Sequence, residues 1–131
     1  MTASTDPLAR LVVDQVEVDR ELLASILADL VRVDPARGTF AFQHQARRNL
    51  GSKKTVIVAL LARKALCLLG ASIPEALLPK DIEALTGIKG NSLRPLIKQL
   101  ADSGIIQRVD DGYVVPNFAI EDVAREIKRA R

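Results

Sequence analysis

The stretch TGIKGNSLRPLIKQLADSGIIQRVDDGYVVPN, Thr86 to Asn117, decides the fold. It reads in order as turn, helix, strand, tight turn and returning strand. Leu93, Leu96, Ile97 and Leu100 recur at the spacing of one helix face. Pro95 places the helix start at Asn91 or Ser92 and favours Ser92, because proline is harmless only where its missing N–H has no intrahelical partner. Gly104 ends the helix, IIQRV makes a strand, Asp110-Asp111-Gly112 turns, and YVVP returns.

Upstream, Pro79 suits a helix first turn, and KDIEALTG makes two turns with Ile82 and Leu85 inward and Gly87 as the stop. ASIPEALLP is a connector with two prolines. Before it, KKTVIVALLARKALCLLG is apolar nearly all round, so it is expected to be the central buried helix, capped by Ser52 and ended by Gly70. Arg63 and Lys64 sit together in it and mark its exposed edge. Further back, Leu22, Leu23, Ile26, Leu27, Leu30 and Val31 form an amphipathic stripe, with Asp19 as the N-cap and Glu21 in the first turn. The alternations Val31, Val33 and Phe40, Phe42 flank DPARG and predict a β-hairpin closed at Gly38. QHQARRNLG reads as a short helix or an ordered loop. LARLVVDQVEV, 8–18, is a short helix or a strand. FAIEDVAREIKRAR closes the chain as a helix with Phe118, Ile120, Val123 and Ile127 inward.

Composition narrows the classes. The chain has 131 residues and only 3% aromatics, so aliphatic side chains must fill the core, which favours helix-on-helix packing. One cysteine, Cys67, has no partner for an internal disulfide and reads as a small buried hydrophobe. With His44 it makes the whole His/Cys inventory, so no metal site and no catalytic dyad is expected, no cofactor pattern occurs, and the chain does not read as an enzyme. The opening MTASTDPLAR is polar, its first base is Arg10, and the apolar run VIVALLA is too short to span a bilayer. A cytoplasmic protein with no membrane partner is the expectation.

Charge is segregated. Residues 1–34 hold seven acids and three bases, residues 35–74 hold seven bases and no acid, and residues 75–131 hold nine of each. The densest piece is ARRNLGSKK, where Arg47, Arg48, Lys53 and Lys54 fall within eight residues. Such a segment attracts a phosphate backbone, or is a solvated face balanced by the acidic N-terminal segment across a contact within or between subunits.

The order from Ser52 to Val115, about half the chain, resembles the winged helix-turn-helix superfamily. The marks are DIEALTGI, with Ile88 after the turn glycine, then NSLRPLIKQLADSGII, then the hairpin around Asp110 to Gly112. The implied architecture is mainly α with a small β-wing: a winged helix-turn-helix over 52–131, preceded by a helix and β-hairpin extension over 1–51. The extension completes a small core or forms a homodimer.

By this resemblance the helix from Asn91 to Ser103 is a recognition helix, and the implied partner is double-stranded DNA, as for a transcriptional regulator or a mobile-element DNA-binding factor. Its polar side carries Asn91, Ser92, Arg94, Lys98 and Gln99, with Lys89 on the turn before it. Arg suits guanine, Asn or Gln suits adenine, and Ser92 with the helix N-terminus suits a phosphate. Arg47, Arg48, Lys53 and Lys54 are the candidate backbone contacts, and the C-terminal Arg125, Lys128, Arg129 and Arg131 add a basic end. The wing tip VDDGY departs from the pattern: Asp110 and Asp111 repel phosphate, and Arg108 is the base beside them. Winged helices also serve as docking modules in larger assemblies, so a protein-protein interaction module is the alternative. Zero net charge over 75–131 favours it.

Overall fold

The computed structural model describes residues 18–129; the side chains of Lys128 and Arg129, residues 130–131 and the helix-or-strand reading of 8–17 lie outside what is described. The chain is mainly helical. Its elements are α1 (Arg20–Leu27), β1 (Val31–Asp34), β2 (Thr39–Phe42), α2 (His44–Asn49), α3 (Ser52–Leu68), α4 (Pro79–Thr86), α5 (Gly90–Asp102), β3 (Gln107–Val109), β4 (Gly112–Val114) and α6 (Ile120–Arg129). Among these residues no helix is long and apolar enough to cross a membrane.

Asp19 caps α1 as its side chain allows: Oδ1 accepts from Leu22 N at 3.0 Å. Leu23, Ile26 and Leu27 turn inward. β1 and β2 pair antiparallel, with Val31 opposite Phe42 and Val33 opposite Phe40. Asp34 Oδ1 accepts from Arg37 N at 3.3 Å and Gly38 takes φ 68°, so the DPARG turn closes by the chemistry its residues offer. Phe40 and Phe42 meet edge to face with centroids 5.5 Å apart.

α3 is the axis of the core, buried without interruption from Thr55 to Ala62. It starts one residue earlier than the serine suggests. Gly51 is the N-cap, and its carbonyl accepts both Thr55 N and Thr55 Oγ1 at 2.9 Å. The expected exposed edge at Arg63 and Lys64 is not exposed. Lys64 is 3% accessible; its Nζ lies 2.7 Å from Glu75 Oε2 and 2.7 Å from Asn117 Oδ1. Arg63 Nε donates to Pro74 O at 2.7 Å. Both cations bind the connector of residues 71–78 where it crosses the end of α3. Partners 11 and 53 residues away turn the "edge" inward.

The connector then adds a rung to the second hairpin. Leu77 and Tyr113 pair antiparallel, with N–H to O distances of 3.0 and 2.9 Å. Gly112 lies beneath this rung, and a Cβ there would come within 2.9 Å of Leu77 O. Pro79 opens α4, and Asp81 Oδ2 accepts from Leu78 N at 3.3 Å. Ile82 is buried as expected, but Leu85 is 37% exposed and Thr86 takes the second inward place. A buried threonine is tolerated because its hydroxyl has two partners, Ile82 O at 2.6 Å and Ile88 N at 3.2 Å.

α5 also starts earlier than its proline suggests. Lys89 is the N-cap, and its carbonyl accepts from Ser92 N and Leu93 N at 2.9 and 2.8 Å. Pro95 therefore lies inside the helix, where its missing N–H leaves the Asn91 carbonyl without its i+4 donor. Pro95 and Asn91 are both exposed, so the loss falls on the solvent-facing side of the helix. Gly104, at φ 83°, closes α5, with Ile105 N on Leu100 O at 3.1 Å. Ile105 and Ile106 are used in this closure and in packing, so β3 is shorter than IIQRV.

A 3-10 turn, Asn117–Ala119, precedes α6. Its three-residue period shifts the helical phase, so Phe118 is 47% exposed and Ala119 is buried in its stead. Ile120, Val123 and Ile127 face inward as expected, and α6 packs on α1. One hydrophobic cluster thus runs from Leu23 to Ile127 and takes in both ends of the described chain.

The Lys64 network yields a stability prediction. Glu75→Ala leaves the buried ammonium with Asn117 Oδ1 and is expected to cost about 3 kcal/mol. Asp102→Ala, which breaks an exposed pair with Lys98, is expected to cost less than about 1 kcal/mol. Urea unfolding midpoints of the two variants check this contrast.

Candidate nucleic-acid interface

Helix α5 is held against the core by Leu93, Ile97 and Leu100, with Leu96 half-buried. Its remaining positions follow from 3.6-residue periodicity. Asn91, Ser92, Arg94, Lys98 and Gln99 are all exposed, and Lys89 is exposed at the N-cap. The structure therefore brings the six residues singled out around this helix onto one element. It adds to the same exposed face Pro95, read from the sequence only as a mark of the helix start, and Asp102, which the sequence reading passed over. Asp102 Oδ2 lies 3.4 Å from Lys98 Nζ, an i,i+4 pair that spacing alone makes readable. Lys89 and Arg94 make no ion pair among the described residues.

The α5 N-terminus is less open to a phosphate than its sequence suggests. A Cβ on Gly90 would lie 3.5 Å from Glu83 Oε2. That carboxylate already stands at the positive end of the helix, the place Ser92 and the backbone were expected to offer an anion.

The four candidate backbone contacts divide. Arg47 is half-buried on α2, and its Nη2 donates to Thr86 O at 2.5 Å. Lys53 pairs with Glu126 at 3.4 Å. Lys54 Nζ reaches Ile127 O at 3.5 Å, near the C-terminal end of α6. Arg48 is exposed and makes no ion pair among the described residues. The dense basic run is thus mostly tied into the fold, through partners at sequence distances that no local pattern reveals.

At the tip of the β3–β4 hairpin, Asp110 adopts φ 55°. Arg108 folds back on its own turn, with Nε 3.3 Å from Asp110 O and Nη2 4.0 Å from Asp111 Oδ1. Both aspartates remain exposed.

Comparison with family models, curated proteins and solved structures yields no match. Among the described residues no group of three or more His, Cys, Asp or Glu side chains is placed to hold a metal ion. Cys67 lies in the last turn of α3, half-buried, with Sγ 3.3 Å from Ile73 O. Burial first, and then the Glu75 carboxylate, push its thiol above the ordinary range, against the smaller opposite pull of Arg63 and Lys64. A thiol raised in this way makes a folding contribution that is fully present below its unfolded value and is lost as pH climbs through the raised one. Alkylation by iodoacetamide at pH 8 is therefore expected to be slower for the native protein than for the same chain in urea. Equal rates would contradict the burial.

Proposed function

We propose that this protein binds double-stranded DNA through the outer face of α5, as a winged helix-turn-helix protein of the kind that serves in transcriptional regulation or mobile-element biology. One observation carries the reading. The helix that follows the tight Thr86–Lys89 turn buries Leu93, Ile97 and Leu100 and leaves Asn91, Arg94, Lys98 and Gln99 exposed together. Those four have the donors and acceptors that base edges in a major groove require. The order of elements supports it: α3, the Leu77 rung, α4, turn, α5, then a hairpin packed back on that rung.

In this reading α5 lies in the major groove with Arg94 and Gln99 on opposite flanks of the exposed face. Lys89 and Arg48 meet the phosphates. The hairpin stays off the duplex, because Asp110 and Asp111 face solvent and Arg108 is turned toward them. The hairpin tip also favours a second reading, a docking surface for another protein, since Val109 is exposed beside those acids. A homodimer would set two α5 helices on successive grooves of one duplex.

Fluorescence anisotropy with a labelled duplex, at low salt and near physiological salt, tests the proposal. Affinity is expected to fall steeply with salt. After selection of a preferred sequence, Arg94→Ala is expected to lose roughly 5- to 150-fold in discrimination at one base pair, the equivalent of about 1–3 kcal/mol. Absence of duplex binding even at low salt would turn the case toward the docking reading. Unchanged discrimination in both Arg94→Ala and Lys98→Ala would remove α5 as the reading surface.

A further inference from the structure

We infer that Arg47 is a positioning residue for α5 rather than a phosphate contact, and that within the Arg47-Arg48 pair the phosphate role falls to Arg48 alone. The phosphate half of this rests on the DNA reading above; the positioning half does not.

Thr86 O is the last carbonyl of α4, and the final carbonyls of a helix have no intrahelical donor and carry its partial negative charge. Arg47 Nη2 supplies the missing donor at 2.5 Å from an element 39 residues upstream. The same guanidinium stands 4.0 Å from where a Cβ on Gly87 would sit, so it lies along the turn itself. The other bonds of the turn are internal to it. Gly87, at φ 77°, returns its N–H to Glu83 O at 2.9 Å, and Thr86 Oγ1 joins Ile82 O to Ile88 N. Ile88 is buried, and Lys89 follows as the N-cap of α5. Among the described residues, Arg47 is therefore the side-chain bond that reaches this turn from another element.

The base of the tether is itself anchored. α2 is seated by buried Ala46 and Leu50. Its entry is held by Gln43, whose N–H reaches Leu30 O at 2.8 Å and whose Nε2 reaches Ala28 O at 3.0 Å. Successive helical residues point about 100° apart, so when Arg47 turns to the α4 end its neighbour must turn elsewhere. Arg48 is exposed, without an ion pair among the described residues. A bond to a charged donor is worth more than a neutral one, and this one is half-buried, which limits screening.

Two measurements on Arg47→Gln and Arg48→Gln decide the matter: the salt dependence of duplex affinity, and amide hydrogen exchange of residues 87–93 in the free protein. For Arg48→Gln the slope of log affinity against log salt should flatten by about 0.9, one phosphate, with exchange unchanged. For Arg47→Gln the slope should stay at the wild-type value while affinity falls several-fold at every salt. Exchange over residues 87–93 should then quicken about tenfold or more, with α6 unaffected. A flattened slope with unchanged exchange in Arg47→Gln would make Arg47 a phosphate contact and overturn the inference. Global loss of helical signal in that variant would overturn it too, since a tether at one turn leaves the core intact. If wild-type protein binds no duplex, the DNA reading fails, and the exchange result alone decides whether Arg47 holds the turn.

Discussion

A helix that is apolar on every side must be covered on every side, and α3 sets this requirement for the whole molecule. From Thr55 to Ala62 it offers no face to water. A short chain can meet that demand only by drawing on segments far apart in sequence. α1 and the first hairpin lie on it, α4, α5 and β4 close other sides, and α6 returns to pack on α1. The single cluster from Leu23 to Ile127 follows from this one constraint. So does the burial of Lys64, which lies among the buried Leu60, Leu61 and Leu66 of α3. An ammonium in that place is tolerated because the connector brings Glu75 and the turn before α6 brings Asn117, each within 2.7 Å.

The same economy appears at the helix ends. Arg20 reaches Leu68 O at the end of α3 at 3.3 Å. Arg47 does so at the end of α4, and Lys54 near the end of α6. In each case the cation comes from a different element, so one bond both completes a helix terminus and joins two elements. These bonds align pieces that aliphatic packing alone would leave free to slide, since Leu, Ile and Val contacts are non-directional.

How far the sequence discloses this structure depends on the range of each interaction. Asp19, Gly38, Gly87 and Gly104 do their work within a few residues, and each is found where local chemistry places it. The buried stripe of α5 is equally local, and with it the exposed set Asn91, Arg94, Lys98 and Gln99. The departures come where local rules compete. Pro95 argues for a late helix start, but it lies on the exposed side of α5, where a lost backbone bond is least costly. Phe118 follows helical phase on paper, and a 3-10 turn rotates it outward. Leu85 loses its inward place to Thr86 because the threonine hydroxyl closes the turn that the leucine cannot. Lys64 and Arg47 were beyond local reading altogether, since their partners lie 11 to 53 residues away.

This bears directly on the acid-free basic stretch, residues 35–74. Of its seven cations, Arg37 pairs with Asp34, Arg47 with Thr86 O, Lys53 with Glu126, Lys54 with Ile127 O, Arg63 with Pro74 O and Lys64 with Glu75. Arg48 alone has no such partner among the described residues. The positive charge is therefore matched mainly by acids and carbonyls of the later half of the chain, and only in Asp34 by the acidic N-terminal segment. Once folded, most of these cations are tied to partners on other elements, while Arg37 and Arg48 stay on the surface. Among the described residues the exposed cations without an ion pair include Arg32, Arg48, Lys80, Lys89 and Arg94, of which Lys89 and Arg94 belong to α5 and its N-cap.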